Sequence, residues 1–322
     1  MSIVSPLDFR PLPLLRNPHV QTILGTCLRG PAFKHATVER ELLLADGDRL
    51  LLFDSVPPGW QPGQPIALLL HGLGGSHQSY HLQRMGRHLL PLGYRVVRLD
   101  MRGCGKGAPL ARRFYHAGLS ADIREVAQEI GRWAPTSPLT VIGFSLGGNI
   151  ALKMAGELPD APVPNLSRVA ALAPPIDLVG SCAKLAQPWN RLYDRHFVRE
   201  LIRLARHRQL LFPDSPPMDF PRRMTMRLFD DLYTAPRSGF ADALDYYQRS
   251  SSFPLIPRIP VPTLILTSRD DPFISVEPFD RLKVPSHIEI RILKHGGHLG
   301  FLGWDGAGGI RWAERRIVDW LS

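Results

Sequence analysis

The sequence predicts an α/β fold: an eight-stranded, mostly parallel sheet with helices on both faces and a helical cap insertion. Three observations predict it. Short apolar runs alternate with helix-compatible stretches along most of the chain. Most of those runs, 66–70, 139–142 and 263–266 above all, are apolar at successive positions, as strands covered on both faces tend to be. One long interval, residues 177–257, is rich in Arg and Pro and contributes no strand, although strand-like runs lie on either side of it. A chain of 322 residues with 44% hydrophobic content has room for one large α/β domain with an insertion, or for two small domains, and for a substantial core.

The elements follow in order. Residues 1–35 read as an N-terminal arm, broken early by Pro6, Pro11 and Pro13. No basic segment followed by a long apolar core marks a secretory signal, and no apolar run approaches membrane-spanning length. Residues 37–44 and 50–56 flank Asp46-Gly47-Asp48, which reads as an antiparallel hairpin. Strands are then expected at 66–70, 94–99, 139–142, 168–172, 263–266 and 288–293. Helices are expected at 78–90, 120–133, 149–155 and 310–321. The core is thus assigned to 36–176 and 258–322. The interval 177–257, with a helix near 190–211, reads as a cap over the carboxyl ends of the strands, where it would shape a pocket.

Charge and cysteine content exclude several functions. The net charge of +10 is spread over arginines interleaved with acids. No run of five basic residues and no nucleic-acid-binding signature accompanies it, so no nucleic-acid partner is expected. Attraction to anionic surfaces stays open, including peripheral contact with a membrane. Cys27, Cys104 and Cys182 are scattered and odd in number, which gives neither a disulfide framework nor a metal-binding spacing. A reducing cytoplasm is the expected compartment, with Cys104 and Cys182 structural.

The chemistry centres on Gly143-Phe144-Ser145-Leu146-Gly147. This G-x-S-x-G stretch sits between a strand-like run and a helix-compatible one. A sharp strand-to-helix turn exposes its middle side chain, and the flanking glycines let strand and helix approach closely. It also sets Ser145 at a helix N-terminus, where free N–H groups favour developing negative charge.

A nucleophilic serine needs a base, and the base needs an orienting carboxylate. His298, in His295-Gly296-Gly297-His298, follows the last strand and would emerge at the same sheet edge as Ser145. Its rival His295 lies nearer the strand end. The two glycines between them oppose the helix that would align both as metal ligands. Asp270 and Asp271 follow the strand at 263–266. The reading assigns the carboxylate to Asp270, because Asp271 precedes Pro272 and is biased to an extended, turn-forming role. Two oxyanion donors are expected: the N–H of Leu146, and that of Leu73 in His71-Gly72-Leu73-Gly74-Gly75. His71 reads as an orienting residue of that loop, and the turn at Asp100–Gly105 as structural.

Taken together, these segments resemble the α/β-hydrolase superfamily past residue 40, and more narrowly the YheT/EMB8 group of α/β-hydrolase-domain proteins. The resemblance is carried by Arg16-Asn17-Pro18-His19-Val20-Gln21-Thr22-Ile23, His71–Gly75, Arg102-Gly103-Cys104, Gly143–Asn149, Asp270-Asp271-Pro272-Phe273 and Gly296–Phe301. It implies a Ser145, Asp270, His298 triad in that chain order and an esterase or lipase-like activity. The expected function is a serine carboxylester hydrolase that needs no cofactor and acts on small or medium acyl esters through an acyl-enzyme. Two alternatives stand beside it: a lipase or phospholipase working at membrane surfaces, and a non-catalytic binding protein on the same fold. Asn17-Pro18-His19 either packs the arm or lines the entrance.

Overall fold

Five consecutive apolar residues bury both of their faces only at the centre of a sheet, and β3 (Ile66–Leu70) lies there, wholly buried. The computed structural model describes residues 9–322. Around β3 stand β1 (Val38–Leu43), β2 (Arg49–Ser55), β4 (Arg95–Asp100), β5 (Leu139–Phe144), β6 (Leu166–Leu172), β7 (Thr263–Ser268) and β8 (Ile288–Leu293). They form one sheet in the order β1-β2-β4-β3-β5-β6-β7-β8. The β1–β2 and β2–β4 pairs are antiparallel and the rest parallel, so the hairpin leads into a parallel sheet as its sequence predicts.

Period-2 alternation divides the core into two layers. Ile66, Leu68 and Leu70 of β3 face one layer, packed with α3 (Ser120–Trp133) and α4 (Leu146–Gly156) through Ile123, Val126, Ile150 and Met154. Ala67 and Leu69 face the other, packed with α2 (Tyr80–Leu89) and α11 (Trp312–Leu321) through Leu82, Met85, Ile317 and Leu321. The hairpin is anchored by Arg102, whose guanidinium meets Asp46 at 2.8 Å, Asp48 at 2.5 Å and Asp122 at 2.6 Å.

Between β6 and β7 lie α5 (Leu178–Leu185), α6 (Arg191–Leu211), α7 (Met226–Phe229), α8 (Ala235–Arg237) and α9 (Ala243–Ser250), and no strand. Val198, Leu201, Leu204 and Ala205 on one face of α6 meet Phe114, Met224, Phe229 and Tyr233 in a third apolar cluster. Before the sheet, α1 (Pro18–Cys27) occupies the arm, a helix that hydrophobic periodicity does not mark. The short α10 (Glu277–Arg281) follows β7.

Candidate active site

Parallel strands deliver their following loops to one sheet edge, so the turns after β3, β5, β7 and β8 converge. The turn after β5 carries Ser145 at φ 51° and ψ −122°, a backbone conformation that L-residues seldom adopt. It persists because β5 and α4 leave the chain no slack. A Cβ on Gly147 would run into the backbone carbonyls of Leu70 and His71. On the other side, a Cβ on Gly72 would lie 3.2 Å from the Ser145 Cβ, a tight contact, so glycine lets the loop after β3 pass closely over the serine.

The serine and the histidine meet. Ser145 Oγ lies 2.8 Å from His298 Nε2. His298 is buried, with its ring tilted against Phe273 at a centroid distance of 4.2 Å. Its Nδ1 lies 2.7 Å from Oδ2 of Asp271. With a carboxylate fixed at Nδ1, the ring proton resides there and Nε2 is left to accept from the serine.

The carboxylate is therefore Asp271, and the assignment to Asp270 is corrected. Asp271 is buried, and its Oδ1 accepts from the backbone N–H groups of Phe273 and Ile274, each at 3.0 Å. The extended backbone before Pro272 turns the carboxylate back over the following residues and aims its second oxygen at His298. Asp270 points elsewhere. Its Oδ1 accepts from Gly297 N–H at 2.9 Å and its Oδ2 stands 3.3 Å from His295 Nδ1. It holds the histidine loop by its main chain, and His295 stays with Asp270, away from Ser145.

Leu146 is the first residue of α4, so its N–H has no acceptor within the helix. Leu73 and Leu146 border the same cavity as Ser145. His71 is buried beneath this loop, and burial lowers its pKa and keeps it neutral. Its Nε2 accepts from Met101 N–H at 3.2 Å, so the proton sits on Nδ1, which donates to Gly72 O at 2.7 Å. That bond fixes the carbonyl beside Leu73.

The cavity holds about 120 Å³ of open space and is mostly apolar, with Leu178, Phe197, Met226 and Phe273 among its walls. Two ionisable groups also border it, Asp230 buried and His116 half-buried. Burial raises the Asp230 carboxyl to about 6, against hydrogen bonds from Thr234 and Tyr247, each at 2.6 Å, that favour its ionised form. Burial, with Arg102 and Lys153 nearby, lowers His116 to about 4.

Sequence reasoning missed Asp271 as the histidine's partner, and it missed Thr22, whose Oγ1 accepts from His298 N–H at 2.9 Å. The turn-forming bias of Asp271-Pro272 was the available signal for the first. For the second it was the Asn17-Pro18 helix start.

Residues 65–303 match the family described as alpha/beta hydrolase fold. The chain is 32% identical over 323 residues to YheT of Escherichia coli K12, an alignment covering 99% of this chain and 94% of that protein. It is 30% identical over 290 residues to a Saccharomyces cerevisiae protein called medium-chain fatty acid ethyl ester synthase/esterase 2. That alignment takes in 80% of this chain but only 62% of the yeast protein. Among solved structures, the esterase Pf2001 of Pyrococcus furiosus superposes with a TM-score of 0.58 at 18% identity, over 90% of this chain and 93% of that one. At that identity the likeness concerns the fold alone.

Proposed function

This chain belongs to the α/β-hydrolase fold family, and from that premise we propose that it is a serine carboxylester hydrolase acting on small or medium acyl esters. One observation carries the reading: Ser145 Oγ, His298 and Asp271 form a continuous relay of 2.8 Å and 2.7 Å contacts, and Ser145 borders a mostly apolar cavity. Ser145 Oγ attacks the acyl carbon while His298 Nε2 takes its proton, and Asp271 stabilises the imidazolium. The N–H groups of Leu73 and Leu146 hold the oxyanion. His298 then protonates the leaving alkoxide, and the acyl group stays on Ser145. Water, deprotonated by His298, attacks the acyl-enzyme and releases the acid and the free serine.

The cavity of about 120 Å³ is well below the ~300 Å³ where drug-sized sites begin, which favours a short acyl chain. The helices between β6 and β7 act as the cap, since Leu178, Phe197 and Met226 come from them. Hydrolysis of p-nitrophenyl esters of increasing length tests this. Turnover should be highest for short chains and fall steeply at the longest. A preference for palmitate over butyrate would contradict the size argument.

A second reading, a lipase or phospholipase at a membrane surface, is favoured by one feature. Trp189 and Leu192 are 69% and 78% exposed, beside the exposed arginines Arg191, Arg195, Arg199 and Arg206 of α6. An apolar anchor beside a basic stripe suits an anionic lipid surface. No helix among the described residues is long and apolar enough to cross a membrane, so contact would be peripheral. Activity raised by anionic vesicles would favour this reading, and activity indifferent to them would remove it.

A further inference from the structure

The segment Asn17-Pro18-His19-Val20-Gln21-Thr22 has no role in the chemistry above, yet it forms the first turns of α1. Asn17 caps the helix, with Oδ1 accepting from His19 N–H at 2.9 Å and Val20 N–H at 3.2 Å, and Pro18 begins it. The face that α1 buries is not apolar: it consists of Gln21, Thr22 and Gly25. A helix that buries polar side chains must give them partners, and here those partners belong to the loop that bears His298.

Gln21 grips Leu302 at both ends. Its Oε1 accepts from Leu302 N–H at 2.7 Å and its Nε2 donates to Leu302 O at 3.1 Å. The Thr22 hydroxyl donates to Pro18 O at 2.7 Å and accepts from His298 N–H at 2.9 Å. Gly25 and Gly300 touch backbone to backbone, since a Cβ on Gly25 would stand 2.7 Å from the Gly300 Cα. A further path runs through side chains. His19 Nδ1 meets the Tyr193 hydroxyl of α6 at 3.1 Å, Tyr193 packs on Phe273 at 5.2 Å, and Phe273 packs on His298.

The loop needs such support. Gly297, Leu299 and Phe301 have φ of 56°, 60° and 41°, and two of these residues carry side chains in a region that favours glycine. A backbone of that kind persists only where its surroundings over-determine it. We infer that α1 is the strut that sets His298 over Ser145, with Thr22 as a positioning residue acting through the His298 main chain. The inference rests on the Ser145, His298, Asp271 reading.

Thr22→Val tests it, because valine keeps the shape and β-branching of threonine and removes the hydroxyl. Thr22→Ala, which removes the hydroxyl without adding a methyl, is the second probe and carries the same expectation. Thr22→Ser restores the hydroxyl. The rate of serine phosphonylation by a fluorophosphonate reads nucleophile activation directly, beside kcat and KM for p-nitrophenyl butyrate and a melting curve. Misplacing the imidazole by a fraction of an ångström to 1 Å should slow phosphonylation and lower kcat by about 100-fold, with KM little changed. Thr22→Ser should recover most of the rate at any melting temperature. Wild-type phosphonylation of the Val and Ala variants, or a serine variant as slow as both, would overturn the inference. A wild-type protein inert to the reagent would overturn the triad reading beneath it instead.

Discussion

Replacing Asp271 with asparagine should disable the site while leaving the fold almost untouched, and the reason can be worked atom by atom. Asp271 Oδ1 accepts from Phe273 and Ile274 N–H at 3.0 Å, and an asparagine Oδ1 can keep both bonds. The amide nitrogen then takes the place of Oδ2, 2.7 Å from His298 Nδ1. Two donors cannot face each other, so the imidazole proton moves to Nε2. That nitrogen lies 2.8 Å from Ser145 Oγ, and it now donates to the serine where it should accept. The serine loses its base. In serine hydrolases where this tautomer error has been made, kcat falls about 10⁴-fold, or roughly 5 kcal/mol of transition-state stabilisation. Asp270→Asn is the matched control. Its Oδ1 still accepts from Gly297 N–H, and only the 3.3 Å contact with His295 is weakened, so kcat should stay within about tenfold of wild type. Steady-state hydrolysis of p-nitrophenyl butyrate by both variants decides. Full activity in Asp271→Asn, with loss in Asp270→Asn, would refute the reasoning.

Gly147→Ala places a Cβ against the backbone carbonyls of Leu70 and His71, which cannot swing aside. It should destabilise the protein by about 3 kcal/mol, read as a lower urea midpoint at unchanged slope, and an unchanged midpoint would contradict the packing. The pH dependence of stability carries a signature of Asp230, whose folded-state pKa of about 6 exceeds that of an exposed aspartate. Between about pH 4 and 6 the folded chain keeps a proton there that the unfolded chain releases, so this group's contribution falls as pH rises, by roughly 3 kcal/mol across the window. Asp230→Asn should remove that fall. His116, lowered to about 4, titrates with the opposite slope in the same window, so the wild-type-minus-variant difference reports Asp230. A difference that stays flat from pH 4 to 7 would contradict the assignment.

The architecture was legible because its signals are redundant. The central parallel strands β3, β5 and β7 are apolar runs with Gly, Pro or Asp close by, and β8 alternates Ile288, Ile290 and Ile292 with Glu289 and Arg291. The elbow and the histidine loop are punctuated by glycines that no ordinary turn requires. Strand ends moved by a residue or two: β4 ends at Asp100 and β5 reaches Phe144, because pairing with neighbours rather than local hydrophobicity sets where a strand stops. The choice between Asp270 and Asp271 left one legible sign, the turn at Asp271-Pro272, whose direction the sequence does not settle. Both follow β7, and what separates them is side-chain direction, which the two backbone bonds to Asp271 Oδ1 decide. Pro272, taken as a reason against Asp271, is part of the turn that aims it. Helix α1 escaped detection for another reason: the face it buries is polar, so a search for apolar period finds nothing there. Its N-cap Asn17 and first residue Pro18 were the legible sign.

The most direct measurement treats the protein with a fluorophosphonate and maps the adduct by peptide mass spectrometry. One phosphonyl group is expected on the peptide bearing Ser145, and Ser145→Ala should give neither adduct nor ester turnover. An adduct on another serine, or ester hydrolysis that survives Ser145→Ala, would contradict the account.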